Sequence, residues 1–275
     1  MQIISRLSLV IGFSVLSAGV VLADIPAGIA ALEVGDAQTA AREFQASFDE
    51  GNADGAFYLG RMFELGLGTQ ANIAQAAELF KVAAAQDSAL AQNRLGLMYL
   101  DGQGVIRDYA QGAELICKAA DAGEANAQFN CGAAYGDGKG VAKDPAKARA
   151  YWQQASEQGH IAATNFLGLA YKTGDGVEAD AARAYELFST TAEQGNPMGL
   201  YEVALALETG TGTEADKLQA YTYANIAAAR AHPDAPALRD RIEADLSSEE
   251  ITQAQKAARD WIAAAEARAA EARSN

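Results

Sequence analysis

The sequence predicts an all-α protein, a right-handed α-solenoid of antiparallel helix hairpins stacked side by side. Three observations carry that expectation. The dipeptide position Leu59-Gly60 returns at Leu95-Gly96, Cys131-Gly132, Leu167-Gly168 and Val203-Ala204, a step of 36 residues held four times without a gap. Such a period marks supersecondary units that each bury an apolar face against the next. Half of the chain is apolar and much of that is alanine, which suits closely packed helices. Within each unit the apolar residues recur at spacings of three and four, so they share one helix face.

Taken in order, residues 1–23 read as a secretory signal peptide. Arg6 supplies the positive end, Leu7 to Leu22 is apolar apart from small residues, and Val21-Leu22-Ala23 offers small side chains for cleavage before Asp24. No cysteine follows the apolar run as a lipid anchor would require, and no second apolar segment of spanning length follows. The expected product is soluble, exported and periplasmic. With 36 acidic and 21 basic residues, and Arg6 lost with the signal, its net charge is −16. A chain so acidic repels nucleic acid and anionic lipid, so neither is an expected partner.

Residues 24–52 form an N-terminal capping hairpin, because Asp36, Ala40 and Phe44 stand 36 residues before Asn72, Ala76 and Phe80. Residues 53–231 hold five repeats. The first helix of a unit carries Ala91, Leu95, Gly96 and Tyr99, or Ala127, Cys131, Gly132 and Tyr135, with the small residues admitting a close neighbour. A loop with two glycines follows, at Gly66/Gly68, Gly102/Gly104, Gly138/Gly140, Gly174/Gly176 and Gly210/Gly212. Glycine there ends a helix, and five copies make a phosphate or calcium loop a poor reading. Asn72, Asp108, Asp144, Asp180 and Asp216 come next as N-caps, with Gln75, Gln111 and Gln219 placed to close capping boxes. The second helix carries the bulky row Phe80, Ile116, Trp152 and Phe188 and ends at Gly123, Gly159 and Gly195. Residues 232–275 supply C-terminal capping helices: Pro233 and Pro236 break the chain, and Ser247 with Glu250 opens a long last helix bearing Trp261.

The unit A-x-x-x-L-G-x-x-Y, then G-x-G, D, A, a bulky residue and A-x-x-G, resembles the Sel1-like repeat, a relative of the tetratricopeptide repeat. The resemblance implies a non-catalytic adaptor, and includes periplasmic proteins that hold a membrane sensor kinase inactive. It also includes cysteine-rich secreted proteins that bridge consecutive helices by disulfides, their cysteines matching Ala120 and Gln128 here. Cys117 and Cys131 lie one turn further out, about equally far from the turn near Gly123, where antiparallel helices bring residues opposite each other. A disulfide there and a free Cys117 beside a Cys131 in a leucine slot both remain open. His160 and His232, each alone at a turn, read as solvated.

Some cysteine-rich relatives were described as β-lactam binding, so an enzyme or ligand protein of that kind is the first alternative. The chain has no Ser-x-x-Lys, and its Lys172-Thr173-Gly174 falls in the repeat loop. No zinc motif or dinucleotide fingerprint appears, so no cofactor and no catalysis are expected. A structural part in a secretion or cell-wall assembly is the second alternative.

The face of the first helix away from the core is the expected partner site. It carries Phe57, Asn93, Phe129, Asn165 and Tyr201 in one row and Arg61, Leu97, Leu169 and Leu205 in another. Aromatics and leucines would anchor a protein or peptide, and the two asparagines would pair with its backbone. The same apolar residues would equally serve as core between neighbouring units, and the sequence leaves that choice open.

Overall fold

The computed structural model describes residues 24–274; the signal peptide expected at residues 1–23 lies outside the described residues. Helices α1 (Ile25–Glu33) and α2 (Ala37–Asp49) form the front hairpin. Five hairpins follow: α3 (Ala53–Leu65) with α4 (Ile73–Ala85), α5 (Ala89–Asp101) with α6 (Tyr109–Asp121), α7 (Ala125–Asp137) with α8 (Pro145–Glu157), α9 (Ile161–Thr173) with α10 (Ala181–Glu193), and α11 (Pro197–Thr209) with α12 (Lys217–Ala229). Helices α13 (Ala235–Glu243) and α14 (Ser248–Ser274) close the back. Each helix from α1 to α12 packs on the one that follows it in the chain, α14 packs on α12, and no strand occurs among the described residues. The fold is an α-solenoid.

Some first helices also touch one another, α3 with α5, α5 with α7 and α11 with α13, a closeness not shared by α7 with α9, by α9 with α11, or among α4, α6, α8 and α10. The tighter spacing belongs to the inside of the stack, so the first helices line the inner wall.

Small residues on one helix make room for large ones on its partner. A Cβ added to Gly60 would come within 2.6 Å of the Phe80 ring, at Gly96 within 2.6 Å of Ile116, and at Gly132 within 2.5 Å of Trp152. Phe80 and Ile116 are fully buried, and burial of side chains this size contributes about 1.5–3 kcal/mol each. The fifth unit changes both partners: Ala204 stands in the glycine row and Ala224 in the bulky row.

The two loop glycines do different work. Gly138 ends α7 in the left-handed conformation, φ +70°, and its N–H donates to the Ala134 carbonyl. Gly140, φ +81°, lies so close to the start of α6 in the preceding unit that a Cβ would sit 2.0 Å from the Tyr109 carbonyl oxygen. Its lack of a side chain lets the loop of one unit press on the hairpin before it.

The aspartate row caps the second helices as expected: Asp108 accepts from Gln111 N at 3.0 Å and Asp144 from Lys147 N at 3.1 Å. The capping boxes expected at Gln75, Gln111 and Gln219 do not close. Each cap residue's own N–H is already committed to the first helix, Asn72 to Phe63 O, Asp108 to Tyr99 O and Asp216 to Leu207 O, at 2.8–2.9 Å. At Ser247 the box does form, with Glu250 Oε2 accepting from Ser247 N at 2.8 Å and Ser247 Oγ from Glu250 N at 3.3 Å.

Cys117 on α6 and Cys131 on α7 are disulfide-bonded with Cα atoms 5.0 Å apart. The bridge ties the outer helix of one unit to the inner helix of the next. At the back, Tyr221, Ile226, Leu238, Ile242, Ala254 and Ala258 are buried together, so α13 and α14 cover the apolar flank of α12.

Candidate functional site

Along the inner wall, residues in one row contact a residue at or just before the start of the next inner helix. Asn93 Nδ2 donates to Glu124 Oε2 at 3.1 Å, and Asn165 Nδ2 to Asn196 Oδ1 at 2.9 Å. Phe129 stacks on His160 with centroids 4.8 Å apart, and Tyr201 on His232 at 4.2 Å. Polar junctions therefore alternate with aromatic ones, and each partner has the chemistry its neighbour needs.

Two expectations are corrected by this geometry. Asn93 and Asn165 are buried, at 9% and 4% exposure. Their carbonyl oxygens accept from Asn130 Nδ2 at 3.0 Å and Thr191 Oγ1 at 2.7 Å. Both amides are thus spent between helices and are not offered to a visiting backbone. The histidines are also not solvated turn residues. His160 is half-buried, accepts from Ala163 N through Nδ1 at 3.1 Å, and so caps α9.

The remaining wall residues are half-buried. Phe57 lies 5.7 Å from the Phe80 ring; Leu97 packs with Leu100 against the Ile116 cluster; Leu169, Tyr201 and Leu205 pack on the C-terminal core. Each fills part of an inter-unit junction and leaves part of its surface outward.

The structure adds a second row to the wall, one residue beyond the Asn93 row: Tyr58, Arg94, Asn130, Phe166 and Glu202. Phe166 is 38% exposed and stands edge-on to Phe129, centroids 5.4 Å apart. Arg94 Nε donates to Glu64 Oε1 at 2.7 Å, and its Nη2 bonds the same oxygen. Arg61 Nη1 donates to Glu64 Oε2 at 2.6 Å, so two guanidinium groups share one carboxylate. Three units on, the charges are reversed: Lys172 Nζ meets Glu202 Oε2 at 2.5 Å. A signal existed in the sequence, since Glu64 to Arg94 and Lys172 to Glu202 are both 30 residues apart.

On the outer side, two shallow depressions share Asp121 and Tyr135, one of about 250 Å³ between α6 and α8 and one of about 520 Å³ between α6 and the Gly140-Val141 loop. Tyr151 lines the smaller one, its hydroxyl donating to Asp121 Oδ1 at 2.8 Å. Burial, and then that bond, push the Tyr151 pKa up to about 12, so it is a fixed neutral strut. The Lys172-Thr173-Gly174 triplet is likewise structural. Thr173 Oγ1 donates to Leu169 O at 2.9 Å, and Gly174 ends α9 with φ +77°.

The 36-residue geometry has a counterpart among known families. The Sel1 repeat family model matches residues 53–88, 89–124, 125–160, 161–196 and 197–232. The chain belongs to the Sel1 repeat family. Its fold is similar to that of a Sel1 repeat protein from Oxalobacter formigenes, with TM-score 0.70 and 25% identity over 77% of this chain and 87% of that one. A protective antigen present in uropathogenic Escherichia coli strains, displaying an SLR fold, aligns with TM-score 0.48 and 22% identity over 90% of this chain and 70% of that one. Among curated proteins, none matches the sequence. Sel1 repeat proteins are typically scaffolds for protein–protein interaction. No helix among the described residues is long and apolar enough to cross a membrane.

Proposed function

We propose that this Sel1 repeat protein is a non-catalytic periplasmic adaptor that holds a protein or peptide partner on its inner wall. The observation that carries the reading is the exposed aromatic Phe166 beside half-buried Phe129, on the face where first helices converge. A large aromatic left partly in water on a rigid wall is the kind of anchor that protein interfaces use. The disulfide supports an oxidising compartment, and the periplasm is one. Regulation of envelope signalling is the finer reading, and it rests on family resemblance.

The test places a photo-crosslinking residue at Phe166 and, separately, at Val82, an exposed position on outer helix α4. In the native envelope the Phe166 position should give a defined protein adduct that Val82 does not. Equal labelling from both positions would remove the inner-wall assignment. Fractionation that recovers the protein in the cytoplasm would remove the periplasmic one.

A further inference from the structure

The inner wall has two places of distinct chemistry separated along the stack. At the front, Arg61 and Arg94 share the single carboxylate of Glu64, whose side chain is only 7% exposed, while the arginines remain 35% and 25% exposed. That leaves one net positive charge in a chain whose formal charge is −15. Arg61 spends only Nη1 on Glu64, and a guanidinium has five N–H donors, so the pair retains donors in fork geometry. This spot is matched to a carboxylate, which most of the molecule's surface would repel.

Further along, Phe129 and Phe166 meet edge to face at 77°, with His160 stacked behind Phe129 and the Trp152 ring 5.1 Å from Phe166. Where neighbouring units carry Leu97 or Leu169 on the wall, this one carries the smaller Ala133. The aromatic pair therefore borders a shallower stretch of wall, where a flat ring fits against a ring edge.

We propose that the inner wall takes an extended segment of a partner protein, with one acidic side chain seated at Arg61 and Arg94 and an aromatic side chain seated at Phe129 and Phe166. Packed helices lie about 8–10 Å apart, so the two seats, two inner helices apart, are separated by roughly 16–20 Å. An extended chain advances about 3.3 Å per residue, which puts the acidic and aromatic residues about five or six positions apart. The rest of the segment is neutral or basic, because other carboxylates would face the overall negative field. The inference rests on the inner-wall reading above and adds which segment is recognised.

The experiment uses the exported, oxidised full-length protein and fluorescein-labelled twelve-residue peptides of glycine and serine carrying one Glu and one Phe at separations of two, five or nine. Fluorescence anisotropy should show tightest binding at five, and Glu→Gln in that peptide should weaken it about ten-fold. Arg94→Gln should erase the preference for Glu while keeping that for Phe; Phe166→Ser should do the reverse. A circular-dichroism melt confirms that each variant is folded. Binding that ignores peptide Glu, a Glu preference that survives Arg94→Gln with Arg61→Gln, or no binding of any peptide would overturn the proposal. The two readings fail separately. An inner-wall crosslink to a partner segment lacking the acidic and aromatic pair overturns only this one, whereas absence of inner-wall crosslinks removes both.

Discussion

Single residues in this repeat are constrained by what the adjacent unit places beside them. Gly138 and Gly140 look equivalent in the sequence, yet only Gly140 lies against the backbone of the preceding unit. Gly138→Ala should cost about 1 kcal/mol, the price of a left-handed residue with a Cβ. Gly140→Ala should cost at least about 2 kcal/mol more, because a carbonyl oxygen cannot swing aside as a side chain can. Urea unfolding of the two variants measures the gap, and equal costs would show that the loop does not press on α6. Asn165→Ala should destabilise by about 1–2 kcal/mol, since it strips partners from Thr191 and Asn196. It should leave peptide binding within two-fold of the parent. A large loss of binding in a fully folded variant would return Asn165 to the partner surface. The aromatic and asparagine alternation was legible in the sequence. Its meaning was not, because the matching partner lies 31 residues away on the next helix.

At the level of elements, helix starts and stops were readable because caps act locally. Aspartate before a helix accepts from an amide three residues on, whatever the rest of the fold does. The unclosed capping boxes show the limit: whether the cap's own N–H is free depends on a carbonyl nine residues earlier, on another helix. The disulfide between α6 and α7 has a sequence separation of 14, and closing a loop of that length contributes about 3 kcal/mol. Cys117→Ala with Cys131→Ala should therefore lower stability by about that amount, as should a reductant acting on the parent. A reductant that leaves the parent's urea midpoint unchanged would show that α6 and α7 are held as firmly by packing alone.

Across the whole molecule, the units form a one-dimensional stack in which each hairpin depends on the apolar flank of the next. Charge acts over the same range. Asp36, Asp87 and Asp245 are held below the usual carboxylate range by hydrogen bonds from Thr39, Lys118 and Lys217, and Glu250 by Ser247. A carboxylate whose pKa is lowered by folding stabilises the native state above its unfolded value and loses that contribution as pH falls through the folded one. Thermal melts should thus be flat from pH 7 to about 5 and fall as pH drops below about 4. A melting temperature that rises on acidification would mean that relief of the negative net charge outweighs the lost bonds.

The sequence by itself determined the period, the hairpins, their caps and the sign of the molecular field, because these follow from spacing and composition within about one unit. Only the tertiary structure decided which wall residues remain free. Burial depends on the residue a neighbouring helix brings opposite, so Asn93 and Asn165 were lost to internal bonds while Arg94 and Phe166 came to the surface of the wall.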